Sequence, residues 1–142
     1  MVSSIGERAM VMTTPAPRRG AVLIVEDEAM IRMMVADMLG DLGYPIAAET
    51  GDIDDAMTLA RTAAFDVAIL DVNVNGKLIS PVADIIAARP RPFVFVTGYG
   101  MQGLPQNYRN RPVLQKPFQM ETLANILESV LRGHGSDHLL RG

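Results

Sequence analysis

Val67-Ala68-Ile69-Leu70-Asp71 reads as four apolar residues closed by a carboxylate. An uninterrupted apolar run of this length, bounded by polar residues, is the pattern of a strand buried on both faces, as in a parallel sheet covered by helices. Asp71 then stands at the C-terminal tip of its strand, where open α/β sheets place their chemistry. Three more runs end in the same way. Residues 21–25 lead to Glu26 and Asp27, the run 93–96 leads to Thr97, and Val113-Leu114 leads to Lys116 and Pro117. If these strands are parallel neighbours, three acids, a hydroxyl and an amine converge on one sheet edge. That is the composition of a magnesium-assisted phosphoryl-transfer site.

The segments between the runs carry helical spacing. Ile31, Val35, Met38 and Leu42 recur at that spacing before Gly43, so a helix over 28–42 is predicted. A short strand over 44–48 follows. Gly51 and Asp52 then open a helix through Ala56, Leu59 and Ala60 to about residue 63, and Asp52, Asp54 and Asp55 in its first turn suit the positive end of the helix dipole better than a metal. Ser80 as N-cap and Pro81 at the first position predict a helix of about ten residues, by the usual capping asymmetry, ending before Pro90. Leu123, Ile126, Leu127, Val130 and Leu131 form an apolar stripe that Gly133 is expected to stop.

Where the alternation calls for a fourth helix, the segment 98–112 holds Gly98, Gly100, Gly103, Pro105 and Pro112. Helix propensity there is poor, so at most about two turns can form, around residues 106–109. The reading is an α/β fold: a doubly wound, five-stranded parallel sheet in three αβα layers, with a weak or shortened fourth helix.

Composition narrows the function. A chain of 142 residues is most simply one domain, here 21–133, between a disordered extension over 1–20 and a C-terminal tail over 134–142. No apolar stretch reaches spanning length, and with no cysteine there is neither a disulfide framework nor a thiolate metal site. A cytoplasmic location is expected. Both histidines, His134 and His138, lie in the tail, which argues against a histidine phosphocarrier, a His-based hydrolase or a zinc enzyme. The net charge of −3 gives no general drive toward nucleic acid, and neither nucleic acid nor membrane is expected as a partner.

Magnesium takes hard oxygen ligands in octahedral geometry and keeps several waters. Asp27 and Asp71 are the expected direct ligands, with the backbone carbonyl of Asn73 as another and Glu26 acting through a metal-bound water. Three clustered carboxylates raise one another's pKa unless a cation offsets them, and Lys116 and the metal supply that charge. An oxygen of Asp71 can then attack an activated phosphorus to give an acyl phosphate. Thr97 donates its hydroxyl to a phosphoryl oxygen, and Gly98 carries no side chain to block the donor. Each residue alone has a duller reading: a Lys-Pro turn, a strand-ending Thr-Gly, a helix-capping Asp. Their order and shared position at strand ends carry the inference.

With these residues in hand, the chain resembles a response-regulator receiver domain over about 21–133. The resemblance rests on the acidic pair Glu26 and Asp27, the phosphoacceptor candidate Asp71, Thr97, and Lys116 with Pro117. It implies a CheY-like, five-stranded sheet with five helices, Mg²⁺-dependent phosphorylation by a histidine kinase, and slow self-catalysed hydrolysis of the aspartyl phosphate, with no other enzymatic activity. The stretch P-F-V-F-V-T-G-Y-G over 92–100 is similar to the signature of single-domain receivers called FAT GUY regulators, whose partners are commonly histidine kinases of the HWE or HisKA2 type. Val113 stands three before Lys116, where most receivers have a Tyr or Phe that swings inward on activation. Tyr99 is a candidate substitute, so Tyr99 and Val113 mark the expected switch region. Asn75 replaces the Pro commonly found four after the phosphoacceptor. Receivers dock the kinase's helical hairpin on the first helix, where Met30, Met33 and Met34 are candidates for an adaptable contact surface.

The leading expectation is a stand-alone receiver that signals through an unknown downstream protein or acts as a phosphate sink. Two other classes compete. An aspartyl phosphatase acting on small phosphate esters normally carries a second acid two residues after its nucleophile, where this chain has Asn73. A flavodoxin-like cofactor-binding module needs phosphate-binding amides after the first strand, where Glu26 and Asp27 repel a phosphate.

Overall fold

The computed structural model describes residues 19–98 and 103–141. Its elements run β1 (Val22–Val25), α1 (Ala29–Leu42), β2 (Ile46–Thr50), α2 (Ile53–Thr62), β3 (Val67–Asp71), β4 (Asn73–Val74), β5 (Lys77–Leu78), α3 (Ser80–Ala88), β6 (Phe93–Thr97), a single 3₁₀ turn (Gln106–Tyr108), β7 (Val113–Gln115) and α4 (Met120–Arg141). Five strands form one parallel sheet in the order β2-β1-β3-β6-β7. Among the described residues no helix is long and apolar enough to cross a membrane.

The period-2 geometry of the strands divides the core in two. Leu23, Val25, Ala68, Leu70, Phe93 and Phe95 face α2 and α3, where they meet Ile53, Ala56, Ala60, Val82, Ala83 and Ile86. Their neighbours Val22, Ile24, Val67, Ile69, Val94 and Val96 face α1 and α4, against Val35, Leu39, Leu123 and Leu127. Central strands covered on both faces need apolar residues at every position, which is why the runs read as continuous. The doubly wound sheet expected from the sequence is the fold observed.

Three element boundaries differ from the sequence reading. β2 starts two residues late because Gly43 (φ 88°) and Tyr44 are still closing α1. The Gly43 N–H donates to Gly40 O and the Tyr44 N–H to Leu39 O, a Schellman-type ending. At α3 the cap position is Ile79, not Ser80, and Pro81 lies in the first turn. Ile79 is fully buried and its N–H donates to Val72 O, so burial and a backbone tie set the start in place of a side-chain cap. Gly133 does not end α4, which continues as helix to Arg141 through the segment expected to be a tail. A glycine inside a helix costs only about 1 kcal/mol relative to alanine, and Gly133 is not among the glycines with positive φ.

At the place of the fourth helix the weak, shortened element expected from the sequence is what the described residues form, a 3₁₀ turn over Gln106–Tyr108. The five helices implied by the resemblance are four among the described residues. Here the proline and glycine content leaves a turn held by side chains: Tyr108 stands edge-on to Phe93 with ring centroids 5.4 Å apart, and Phe93 is edge-on to Phe95 at 5.3 Å. The Tyr108 hydroxyl donates to Asp84 on α3. Burial and that carboxylate push the phenol up to about 12, so the tie stays intact across the physiological range. The expected extension lies outside the described residues over 1–18. Arg19 sits on the domain, its guanidinium 5.2 Å from the Tyr44 ring centroid and 3.8 Å from Glu128.

Candidate functional site

β1 and β3 are adjacent and in register, Val25 beside Leu70, so Glu26 and Asp71 emerge side by side at the C-terminal edge. β6 lies on the other side of β3, with Val96 beside Asp71, which puts Thr97 one residue beyond. β7 pairs Gln115 with Thr97, and the Lys116 N–H donates to Thr97 O at 2.9 Å. Sheet register alone therefore gathers the residues that are far apart in sequence. The Lys116–Pro117 peptide is cis.

Glu26, Asp27 and Asp71 each bring a carboxylate oxygen within 4.8 Å of the others. Lys116 Nζ lies 3.0 Å from Glu26 Oε1, 3.2 Å from Asp71 Oδ2 and 3.9 Å from Glu28 Oε1. Glu26, Asp71 and Thr97 are buried, Thr97 completely. Asp27, Asp71, Asn73, Gly98 and Lys116 line one open cleft of about 510 Å³ together with Glu28 and Val72. Among the described residues, a Cβ on Gly98 meets nothing within 4 Å.

The charges explain how each acid is held. Burial pushes Glu26 up to about 7, and the neighbouring Asp71 adds to it, against the Glu28 N–H and the Lys116 ammonium that hold it down. Burial also raises Asp27, but the Asn75 N–H and smaller contributions outweigh it and keep its carboxyl below the usual value. For Lys116, burial favours the neutral amine, yet Glu26 and Asp71 outweigh it and hold the ammonium above its ordinary value.

Three hard-oxygen donors this close, one kept ionised and another raised by burial and by a neighbouring carboxylate, suit a small divalent cation such as Mg²⁺. A pH dependence follows. Glu26 has its folded-state pKa raised, so its contribution to metal-free stability is complete below about 4.5 and is lost as pH rises through about 7. A cation at the acidic trio offsets that loss, so Mg²⁺ should stabilise the protein more at pH 8 than at pH 6. At ten times its dissociation constant the gain is about 1.4 kcal/mol, a rise of about 4 °C or more in thermal midpoint for a domain of this size. Equal shifts in melting at the two pH values would remove Glu26 from the metal-linked group.

Other expected residues lie elsewhere. Met30, Met33 and Met34 are on α1 outside the cleft, at 84%, 62% and 39% exposure, so they form surface and not core. Val113 is half-buried in β7, packed toward the α2/α3 side of the sheet. Tyr99 lies outside the described residues.

The sequence reading did not anticipate the β4–β5 hairpin, which follows Asp71 directly and turns through Asn75 (φ 53°) and Gly76 (φ 79°). Asn-Gly is the strongest short signal for a two-residue hairpin turn, and it stood in the sequence. Two further residues brace the site. Arg32 Nη1 donates to Glu26 O at 2.6 Å, and Gly51 packs so closely that a Cβ there lies 3.1 Å from Glu26 O and 3.2 Å from the Asp27 Cα. Close approach of two backbones is a position for glycine.

Comparison with known proteins agrees with this geometry. The model of the response regulator receiver domain matches residues 22–128. The chain is 37% identical over 116 residues to the transcriptional regulatory protein PdtaR of Mycobacterium tuberculosis, an alignment that covers 79% of this chain and 56% of PdtaR. It therefore spans about half the length of that relative. The solution structure of SdrG from Sphingomonas melonis Fr1 superposes with a TM-score of 0.71 at 41% identity, covering 78% of this chain and 95% of SdrG. The BeF₃-activated conformation of SdrG gives a TM-score of 0.68 at 42% identity, with 78% and 95% covered. With the five-stranded parallel sheet, the acidic trio and the strand-end lysine in place, this chain belongs to the response regulator receiver domain family.

Proposed function

We propose that Asp71 accepts a phosphoryl group from a histidine kinase in a two-component phosphorelay and that the chain passes the signal to a downstream protein or drains the kinase as a phosphate sink. The observation that carries this reading is Lys116, whose ammonium bridges Glu26 and Asp71 beside Asp27 at the mouth of an open cleft. Asp27, Asp71 and the Asn73 backbone carbonyl would hold Mg²⁺, with Glu26 reaching through a water. When bound, the cation offsets negative charge on the acids and on the transferring group.

The chain's own groups do the rest. An oxygen of Asp71 attacks the phosphorus of a phosphohistidine as the P–N bond breaks, and the imidazole leaves and takes up a proton. Lys116 stays beside Asp71 to pair with the charge that develops on the phosphoryl oxygens, and the Thr97 hydroxyl donates to one of them. Gly98 leaves room for the donor. Change at Thr97 reaches the segment 98–112, with Tyr99 and Val113 as the switch positions. The signature over 92–100 supports placement among the FAT GUY regulators, hence a kinase of the HWE or HisKA2 type, and a cytoplasmic site of action goes with that role.

Intact-mass time courses with a small-molecule phosphodonor, with and without Mg²⁺, test the reading. One Mg²⁺-dependent phosphoryl addition supports it, and its lifetime separates a switch from a sink. No addition from either a small donor or a phosphorylated kinase would overturn it. The exposed methionines of α1 supply the docking test. Met30→Asp puts a charge on an apolar contact patch and should slow transfer from the kinase about tenfold, the scale of one good interface residue, while phosphorylation by the small donor is unchanged. Equal slowing with both donors would mean that Met30 serves the fold.

A further inference from the structure

We infer that Asn75 is a positioning residue for the cation site: it commits one oxygen of Asp27, so that Asp27 offers a single oxygen to a metal, and this favours Mg²⁺ over Ca²⁺. The inference rests on the metal-site reading above.

Asn75 occupies the left-handed region with φ 53°, where Asn is among the few residues with a side chain that sit readily. That conformation aims two donors from one residue at the opposite loops. Its backbone N–H donates to Asp27 Oδ2 at 3.0 Å, and its side-chain Nδ2 donates to Gly51 O at 3.0 Å. Gly51 itself abuts Glu26 O and the Asp27 backbone. The hairpin is therefore fixed both to the Asp27 carboxylate and to the loop that packs against the Asp27 backbone. It is also closed from within, because Asn73 Oδ1 accepts the Gly76 N–H at 2.9 Å.

A carboxylate with one oxygen already accepting an N–H meets a cation through the other. Mg²⁺ requires octahedral geometry and takes such single-oxygen contacts, whereas Ca²⁺ takes more oxygens in a looser shell and readily uses both oxygens of one carboxylate.

Asn75→Gly isolates the side-chain tether. Glycine keeps the positive φ and the backbone N–H, and Gly-Gly is an accepted two-residue hairpin turn, so the fold is preserved while the bond to Gly51 is lost. The full chain and the variant are titrated separately with MgCl₂ and CaCl₂, following backbone amide shifts, and amide exchange at residue 75 is measured without metal. Expected are Mg²⁺ binding about five- to tenfold weaker, the scale of one net hydrogen bond, Ca²⁺ binding changed less than twofold, and faster exchange at residue 75. Parallel weakening of both cations, or no change in either, overturns the inference and leaves the metal site standing. Absence of Mg²⁺ shifts at Asp27 and Asp71 in the unmodified chain overturns the metal-site reading instead. Unchanged exchange at residue 75 in the variant then counts against Asn75 as well.

Discussion

Asp71→Asn is expected to abolish phosphoryl acceptance and, in the same molecule, to raise metal-free stability at pH 8. The loss follows from chemistry. An amide oxygen is too weak a nucleophile to form the acyl phosphate, and none of the neighbouring carboxylates takes its place: Glu26 is buried against Lys116, and Asp27 is held by Asn75. The gain follows from electrostatics. Asp71 and Glu26 are both buried and within reach of a shared lysine, and Asp71 helps push Glu26 up to about 7. Removing one of two like charges relieves that repulsion while Lys116 keeps Glu26 as its partner, a gain of about 0.5–1 kcal/mol, as is common when a functional site is neutralised. Intact mass reads the first effect and thermal unfolding without metal reads the second. A lower melting point would show that Asp71 serves the fold chiefly as an ion-pair partner of Lys116.

Lys116→Ala has the opposite thermodynamic sign. It leaves Glu26 and Asp71 facing each other with no cation from the chain, and phosphorylation by a small donor should slow about 100-fold, the effect of losing one group that stabilises developing charge. Breaking a fully buried pair costs about 3–5 kcal/mol. Lys116 keeps 22% exposure, so solvent screening brings the expected cost to roughly 2 kcal/mol. The pH dependence separates this from a packing defect. Lys116 itself stays charged across the neutral range, because its pKa is held above the ordinary lysine value. Its partner Glu26 is protonated below about 7 and ionised above it. The destabilisation should therefore be larger at pH 8 than at pH 6, and added Mg²⁺ should recover part of it. A loss independent of pH and of Mg²⁺ would place the role of Lys116 in its aliphatic stem.

Both variants act on charges that the chain alone announces, yet their coupling appears only in three dimensions. Val67 to Asp71 is an apolar run with one acid at its end, and the period and length of such runs dictate a buried parallel strand whatever surrounds it. The same local logic identified Gly43 as the stop of α1 and put Asp52 at the opening of α2, where the structure makes it the cap and its side chain accepts the Asp55 N–H. It also found the weakness of the segment before Pro112, since glycine and proline lose helix stability wherever they stand.

Local rules failed where a distant contact outweighed a propensity. Ser80 is a good cap by type, but the fully buried Ile79 fixes where α3 begins. Gly133 is a good stop by type, but helix continues through it. The sequence by itself determined the strands, the αβ alternation and the residues that stand at strand ends, because burial period and turn chemistry act over a few residues at a time. Only the tertiary structure decided that β1, β3, β6 and β7 lie in an order that brings Glu26, Asp71, Thr97 and Lys116 together, and that Asn75 reaches back across the sheet edge to hold Asp27. The Asn75–Asp27 and Lys116–Asp71 contacts join residues 48 and 45 positions apart, set by sheet register and hairpin geometry, and no local pattern encodes which oxygen meets which donor.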